Sequence, residues 1–570
     1  MSPRPLTVAT ATACLAVLAL ATAAPAAAGP QPGGSQQKAG PPPVEVQLLA
    51  FNDFHGALEP PTGSGGRVTL SGGTVDAGGL AYFATHLEQQ EAENRNTLTI
   101  SNGDLVGGSP FLSALFRDEP TVDAMDQLGL DIATVGNHEF DEGVDELRRV
   151  IEGGACHPDD GCLDGDGYDG SDAAWLAANV VDRGKEQRPI LPPYEIRKVQ
   201  GVEVGVIGLT LEGTPSIVSA AGIADVRFLD EVETINRYAG ELRREGVQTI
   251  VVSLHEGGAA GGGINACDDP TGPAFDIARN VDDAVDVVLT GHTHSGFVCQ
   301  GAQEVDGKLV TQALSNGRLI TDIDLSVDRR TGDVVAARAE NVVVTRDVAP
   351  DAGAQQLVDR YAAIARPIAD EPVGAITADI ARSAEKIGSL NGESPLGNLI
   401  ADAQLAATDD EAGAVAAFMN PGGVRADLTY ASSPAGEGDG VVTYGEAFAV
   451  QPFNNLLTTL TLTGEQLYAL LDQQFAVGRV LLPSNSVRYT VTGGAVTPGS
   501  LTIDGTPVDR VASYRITVNN FLAGGGDGFT VLTQGTDAVN QPGFDVDALL
   551  AYLAGEPVAP PATDRITVAG

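Results

Sequence analysis

The sequence predicts an α/β protein, and two observations carry that expectation. Short β-branched runs of strand length recur through the first half, and stretches with helical apolar spacing lie between several of them. A third observation, a polar cluster closing each of five runs, indicates where such a protein would keep its site.

The elements follow in order. The opening MSPRPLTVATATACLAVLALATAAPAAAG has a short basic start, an apolar run and a small-residue end, the layout of a cleavable export signal. Cleavage is expected near Ala26 to Ala28, giving a signal peptide at 1–28, a secreted chain without a transmembrane anchor, and Cys14 as filler in the apolar run. A Gln/Gly/Pro-rich lead (29–43) precedes VEVQLLAF (44–51), TLTIS (97–101), DIATV (131–135), VEVGVIGL (202–209), TIVVSL (249–254) and DVVLT (286–290), read as buried strands. GGLAYFATHLEQQEAEN and DEVETINRYAGELRREG, each just ahead of a strand, read as helices. DAGAQQLVDRYAAIARPIAD (351–370) reads as a solitary helix closed by prolines, the connector between two domains. The second half mixes helices (GNLIADAQLAATDD, TGEQLYALLDQQF) with strands (VRYTVTG, YRITVNNF).

The 570 residues include 76 acidic and 33 basic side chains, a net charge of −43, which disfavours long nucleic acid and acidic membranes as partners. Hydrophobic residues make up 43%, enough to build cores, and the length predicts more than one domain. Beyond Cys14 the cysteines are even in number and suit an oxidising space. Cys156–Cys162 and Cys267–Cys299 are the expected pairs among three connectivities, the first bracketing a short loop and the second flanking TGHTHSG.

The five clusters are FNDFHG (51–56), SNGDLVGG (101–108), GNHEFDEG (136–143), SLHEGG (253–258) and GHTHSG (291–296), and they hold five of the seven histidines. Loops at the carboxyl ends of strands build the ligand site of an open α/β sheet, so clusters far apart in sequence can meet in space. If TGHTHSG is extended, His292 and His294 share a face. Carboxylate, imidazole and amide donors together suit Zn²⁺, Mn²⁺ or Fe rather than Ca²⁺ or Mg²⁺, and more than four such ligands imply two metals.

D-x-H, G-D, G-N-H-E-F-D, a lone His after a strand and G-H-x-H, in this order, resemble the calcineurin-like metallophosphoesterases. With NPGGVRADL and FLAGGGDGF downstream, the chain from 44 to about 565 resembles their secreted 5′-nucleotidase and UDP-sugar hydrolase branch. The resemblance implies a four-layer α/β sandwich as the phosphoesterase domain (44–345), a linker helix (346–371) and a smaller α/β substrate-binding domain (372–570). It implies that Asp53, His55 and His294 hold one metal, that Asn137, His255 and His292 hold a second, and that Asp104 bridges them. Zn²⁺ and Mn²⁺ are the ions expected; some relatives carry Gln where this chain has His294. Two such ions polarise a phosphoryl oxygen and make hydroxide available near neutral pH for in-line attack on phosphorus. His138 with Asp141 is the implied catalytic dyad; Asp141 as a plain cap on the helix DEGVDELRRVIEG is the alternative.

Asn420, Arg425, Phe453, Phe521 and Asp527 match the family's nucleotide pocket, where two rings sandwich a base, a carboxylate accepts from ribose hydroxyls and a guanidinium meets phosphate. One departure stands out: relatives often carry a further arginine just before G-N-L, and SLNGESPLGNL (389–399) has none. His86 matches no cluster and reads as a surface or packing histidine. His157 adjoins the acidic run 159–172, which lacks EF-hand spacing and reads as a solvated loop rather than a calcium site.

Three functions fit. The first is a secreted 5′-nucleotidase-type phosphohydrolase scavenging nucleoside and phosphate. The second is a phosphodiesterase on the same site, acting on 2′,3′-cyclic nucleotides, dinucleotides or UDP-sugars, or as an extracellular nuclease. The third is a binding or adhesion protein with a structural metal, which the presence of both His138 and Asp141 disfavours.

Overall fold

The run at 44–51 forms β1 (Val44–Phe51), buried along nearly its whole length, as its unbroken apolar pattern requires. Along the chain follow α1 (Leu80–Glu91), β2 (Thr97–Asn102), α2 (Glu119–Gln127), β3 (Ile132–Thr134), α3 (Val144–Glu152) and β4 (Ala174–Leu176). The next group is β5 (Tyr194–Val199), β6 (Val202–Thr210), α4 (Glu231–Glu245), β7 (Thr249–His255), α5 (Pro273–Asn280), β8 (Val287–Leu289), β9 (Gly296–Cys299) and β10 (Leu309–Ala313). Strands β11 (Leu319–Val327) and β12 (Val334–Val343) precede helix α6 (Ala352–Ala369). The structure is a computed structural model that describes residues 41–569 except 62, 158–161, 166, 185–187, 384–385, 388–389, 434–435 and 454. The export signal at 1–28, Cys14 and nearly all of the lead lie outside the described residues, as does part of the acidic run at 159–172.

Two six-stranded sheets form, in the orders β12-β11-β1-β2-β3-β4 and β9-β10-β8-β7-β6-β5. Successive side chains of a strand point to opposite faces, and here both faces are buried. Leu48 of β1 and Val251 of β7 lie in a core shared by the two sheets. Leu49 instead faces α1, α2, α3 and α6, while Ile250 and Val252 face α4 and α5. Helix, sheet, sheet, helix are the four layers the family resemblance implies. Helix α4 shows the local logic: Asp230 caps its start by accepting from Glu233 N, Ile235, Tyr238, Ala239 and Leu242 form its buried stripe, and Gly246 ends it in the left-handed region.

The expected connector is not solitary. Val358, Tyr361 and Ala365 of α6 are buried in the same core as α1 and α2, and the Tyr361 ring meets Phe116 edge-on at 4.8 Å. Its apolar stripe serves packing as well as connection, which the sequence pattern alone does not distinguish.

The second half contains α7 (Pro395–Ala406), β13 (Ala416–Met419), α8 (Tyr444–Val450), β14 (Leu456–Thr463), α9 (Gly464–Val477), β15 (Leu482–Pro483), β16 (Val487–Thr492), β17 (Ser513–Asn519), β18 (Thr536–Phe544) and α10 (Asp545–Leu553). Five of these strands make a sheet in the order β15-β13-β17-β14-β18. Strands β13 and β17 are parallel neighbours, so the loops after both leave the same sheet end. Aromatic contacts join the halves: Phe111 meets Tyr444 at 5.6 Å and Phe448 at 5.4 Å. Both expected disulfides, Cys156–Cys162 and Cys267–Cys299, are formed. No helix among the described residues is long and apolar enough to cross a membrane.

Candidate active site

All five polar clusters stand at carboxyl ends of strands, three on the first sheet (after β1, β2 and β3) and two on the second (at the end of β7 and after β8). Thr134 Oγ1 donates to Ser253 Oγ at 2.7 Å, and Asn102 Nδ2 donates to the Leu254 carbonyl at 3.0 Å, tying the two sheet ends together.

The seven residues expected to hold metal converge there. His294 Nε2 lies 3.2 Å from Asp53 Oδ1 and 3.1 Å from His55 Nε2. Asp104 Oδ2 lies 3.0 Å from His255 Nε2 and 3.8 Å from His55 Nε2. Asp53, His55 and His294 form one ligand-competent trio and Asp104, His255 and His292 another. Asn137 lines the same cavity as Asp104 and His292. TGHTHSG is not extended: His292 (φ 64°) and His294 (φ 53°) adopt left-handed backbone in a loop. The turn sends the two imidazoles to different trios, so the shared face expected of a strand is replaced. Asp53, His55 and Asp104 also have positive φ, at 51°, 48° and 51°. Non-glycine residues adopt this region at a cost that surrounding contacts must offset, and such residues cluster at functional sites.

These contacts are identifiable. His292 N–H donates to both Asp53 oxygens at 3.1 and 3.0 Å, and His138 N–H donates to Asp104 Oδ1 at 2.9 Å. Gly103 lets β7 approach, since a Cβ there would lie 2.3 Å from His255 Nδ1. Glu139, to which the sequence reading assigned no role, is buried beneath the cluster. Its Oε1 accepts from Leu105 N at 2.7 Å and Val106 N at 3.3 Å, and its Oε2 from Asp104 N at 3.0 Å and from Gly136 N. The signal was present in GNHEFD, but only the fold shows which loop the carboxylate grips. Glu139→Gln would turn N–H donors toward N–H donors, so chemical denaturation of the metal-free chain should show a loss of about 1–3 kcal/mol. An unchanged midpoint would contradict this role.

The donor set fits divalent cations. The Nδ1 atoms of His55 and His255 lie 2.8 Å from the carbonyls of Gly107 and Asn102. A carbonyl only accepts, so Nδ1 carries a proton and Nε2 is the ring atom turned toward the cluster. Asn137 Oδ1 is buried without a hydrogen-bond partner among the described residues, as expected for an atom shaped to face an ion. Burial depresses His55 to about 3 and His292 to about 4, keeping both imidazoles in the neutral, ligating form. Burial opposes ionisation of Asp53 and Asp104, yet the imidazoles, His294 for the first and His255 for the second, hold both below their ordinary range.

His138 Nδ1 lies 2.7 Å from Asp141 Oδ2, leaving Nε2 available to the cavity. Burial works against a charged ring, but Asp141 and then Asp104 outweigh it and raise His138 to about 9. The cap at the start of α3 is Gly143 and has no side-chain bond, so Asp141 serves His138 rather than the helix.

A cavity of about 480 Å³ is lined by Asp104, Asn137, His138, Asp141, His292 and His294, and also by all five residues expected for the nucleotide. Asn420 follows β13, and Phe521 and Asp527 follow β17, the parallel neighbour. Phe521 lies against Gly526, where a Cβ would come within 2.6 Å of the ring. Phe453 lies parallel to His138, ring centroids 5.9 Å apart, with the Arg425 guanidinium 5.5 Å from its centroid. Burial depresses Arg425 and neighbouring Arg382 adds to it. The sequence reading missed Arg117, Arg479 and Phe544, which also line the cavity. None belongs to a quoted motif. His86 is a packing residue, its Nε2 3.1 Å from the Thr345 carbonyl, and His157 Nε2 lies 3.5 Å from Glu142 Oε2 at the cavity wall.

Comparison with known proteins supplies the family. The calcineurin-like phosphoesterase family matches residues 46–296, and the 5′-nucleotidase C-terminal domain matches residues 372–534. The cell wall protein Lmo0130 of Listeria monocytogenes is 32% identical over 92% of this chain and 69% of its own. The chain belongs to the calcineurin-like metallophosphoesterases that carry a 5′-nucleotidase C-terminal domain. Endonuclease YhcR of Bacillus subtilis is 36% identical over 92% of this chain, which spans 41% of that relative's length. A crystal structure of a 5′-nucleotidase precursor from Thermus thermophilus superposes with a TM-score of 0.69 at 27% identity, covering 92% of this chain and 100% of its own. Metallophosphoesterases are phosphoric ester hydrolases that work with divalent metal ions.

Proposed function

We propose that this metallophosphoesterase is a secreted two-metal phosphohydrolase that removes phosphate from nucleotides in the manner of a 5′-nucleotidase. The observation that carries the reading is the single cavity lined at one end by Asp104, Asn137, His138, His292 and His294 and at the other by Asn420, Phe521 and Asp527. Its volume of about 480 Å³ falls in the roughly 300–1,000 Å³ range of small-ligand pockets. Residues 44–345 then act as the catalytic domain, 346–371 as the linker and 372–570 as the substrate domain.

Asp53, His55 and His294 would hold one ion, Asn137, His255 and His292 the other, with Asp104 shared; Zn²⁺ or Mn²⁺ suits this donor set. Bound there, the ions supply Lewis acidity toward the phosphoryl group and acidify water. The chain's own residues do the rest. Asp141 fixes the His138 ring so that Nε2 can stabilise or protonate the leaving oxygen. Arg425 meets phosphate charge, Phe521 stacks on the base, and Asp527 with Asn420 faces the ribose. Phe453 lies parallel to His138 at the cavity wall. Export is supported by the apolar amino-terminal run, by both disulfides and by a relative named as a cell wall protein.

A second reading, hydrolysis of nucleotide diesters, is favoured by the absence of arginine from 389–399 and by a relative named as an endonuclease. A substrate panel comparing a nucleoside monophosphate with a dinucleotide separates the two. The stacking role has its own test. Stacking is worth about 1–3 kcal/mol per base, so Phe521→Ala should lower kcat/KM for a nucleoside monophosphate relative to glycerol phosphate by about 5- to 150-fold. Phe453→Ala should lower both rates, because its ring also packs on His138. An unchanged ratio in Phe521→Ala would return that ring to the core.

A further inference from the structure

At the nucleoside end of the cavity the Asp527 carboxylate is already engaged. Asn519 Nδ2 donates to Asn420 Oδ1 at 3.0 Å, which orients Asn420 so that its Nδ2 donates to Asp527 Oδ2 at 3.0 Å. The other oxygen, Oδ1, accepts from Arg479 Nη1. Arg479 is fixed by the end of α9: Gly478 turns left-handed (φ 77°) and Arg479 N–H bonds back to the Gln474 carbonyl at 3.1 Å. The pair is asymmetric, since the Asp527 side chain is 3% exposed and that of Arg479 47%. A guanidinium has five N–H donors in a planar fork, so donors remain on the half-exposed side. Gly422 borders this corner: a Cβ there would be in ordinary contact range, 3.8 Å from both Arg479 Nη1 and Asp527 Oδ2.

We propose that Arg479 is a specificity residue that gives the nucleoside end of the cavity an anion position, fitting nucleotides whose ribose carries a second phosphate at the 2′ or 3′ position. The inference rests on the nucleotide reading above, in which the ribose edge faces Asp527. A lone buried carboxylate there would repel a second phosphate. Paired with Arg479 it is neutralised, and the guanidinium fork matches phosphate oxygens. On a chain with a net charge of −43, an arginine half exposed within the cavity is no part of a general basic surface.

The test compares kcat/KM for adenosine 3′,5′-bisphosphate with that for adenosine 5′-monophosphate in the wild type, Arg479→Gln and Arg479→Lys. The bisphosphate-to-monophosphate ratio should fall about 10- to 100-fold in Arg479→Gln, the worth of one charged hydrogen bond, and recover in part in Arg479→Lys. Equal losses on both substrates would make Arg479 a prop for Asp527 and overturn the proposal, as would an unchanged ratio without loss. Wild-type enzyme that hydrolyses p-nitrophenyl phosphate but neither nucleotide would overturn the nucleotide reading itself, and this inference with it.

Discussion

Asp104→Asn should lose much of its bound metal and lower kcat by about 10³-fold or more, the scale of several kcal/mol of charge stabilisation. Asp104 stands between the two imidazole groups, 3.0 Å from His255 Nε2 and 3.8 Å from His55 Nε2. Asparagine matches its shape, so the loop after β2, held through Glu139, should keep its course. What changes is chemistry: the shared negative charge disappears and one arm becomes a donor directed at positions meant for cations. Elemental analysis beside turnover is the check. Two metals per chain with near-normal turnover in the variant would contradict the proposal that Asp104 is shared by the two ions.

His138→Ala should behave differently, retaining both metals while kcat falls by about 10²- to 10⁴-fold, the usual worth of a positioned acid or base. The His138 ring bonds Asp141 at 2.7 Å rather than a cluster carboxylate, and its hydrogen bond to Asp104 is through the backbone N–H, which alanine keeps. Metal loss in this variant would make the ring a ligand. A fall confined to KM would make it a binding group only.

Much of this site was legible in the sequence because strand ends are local features. Each of the five clusters follows a buried β-branched run, and parallel pairing of β1, β2 and β3, and of β7 with β8, brings their carboxyl ends together. The path of the chain within each cluster was less legible. His292 and His294 reach two different trios through left-handed backbone, a conformation that tertiary contacts such as His292 N to Asp53 impose. Glu139 was hidden because its partners are backbone N–H groups of another loop, which no residue pattern marks. Arg479 was hidden because the left-handed turn at Gly478 that directs it toward Asp527 is visible only once α9 is seen to end there. The packing of α6 was missed for the opposite reason: its apolar stripe was visible, but a stripe does not say which surface it covers.

The central claim is that two divalent ions, held by seven side chains from five loops, are required for nucleotide hydrolysis. Its most direct test strips the purified chain with a chelator, restores Zn²⁺ or Mn²⁺ stepwise, and follows metal content and turnover of a nucleoside monophosphate together. Turnover should be absent in the stripped chain and reach its maximum at two ions per chain. Full turnover by the stripped chain, or saturation at one ion per chain, would contradict it.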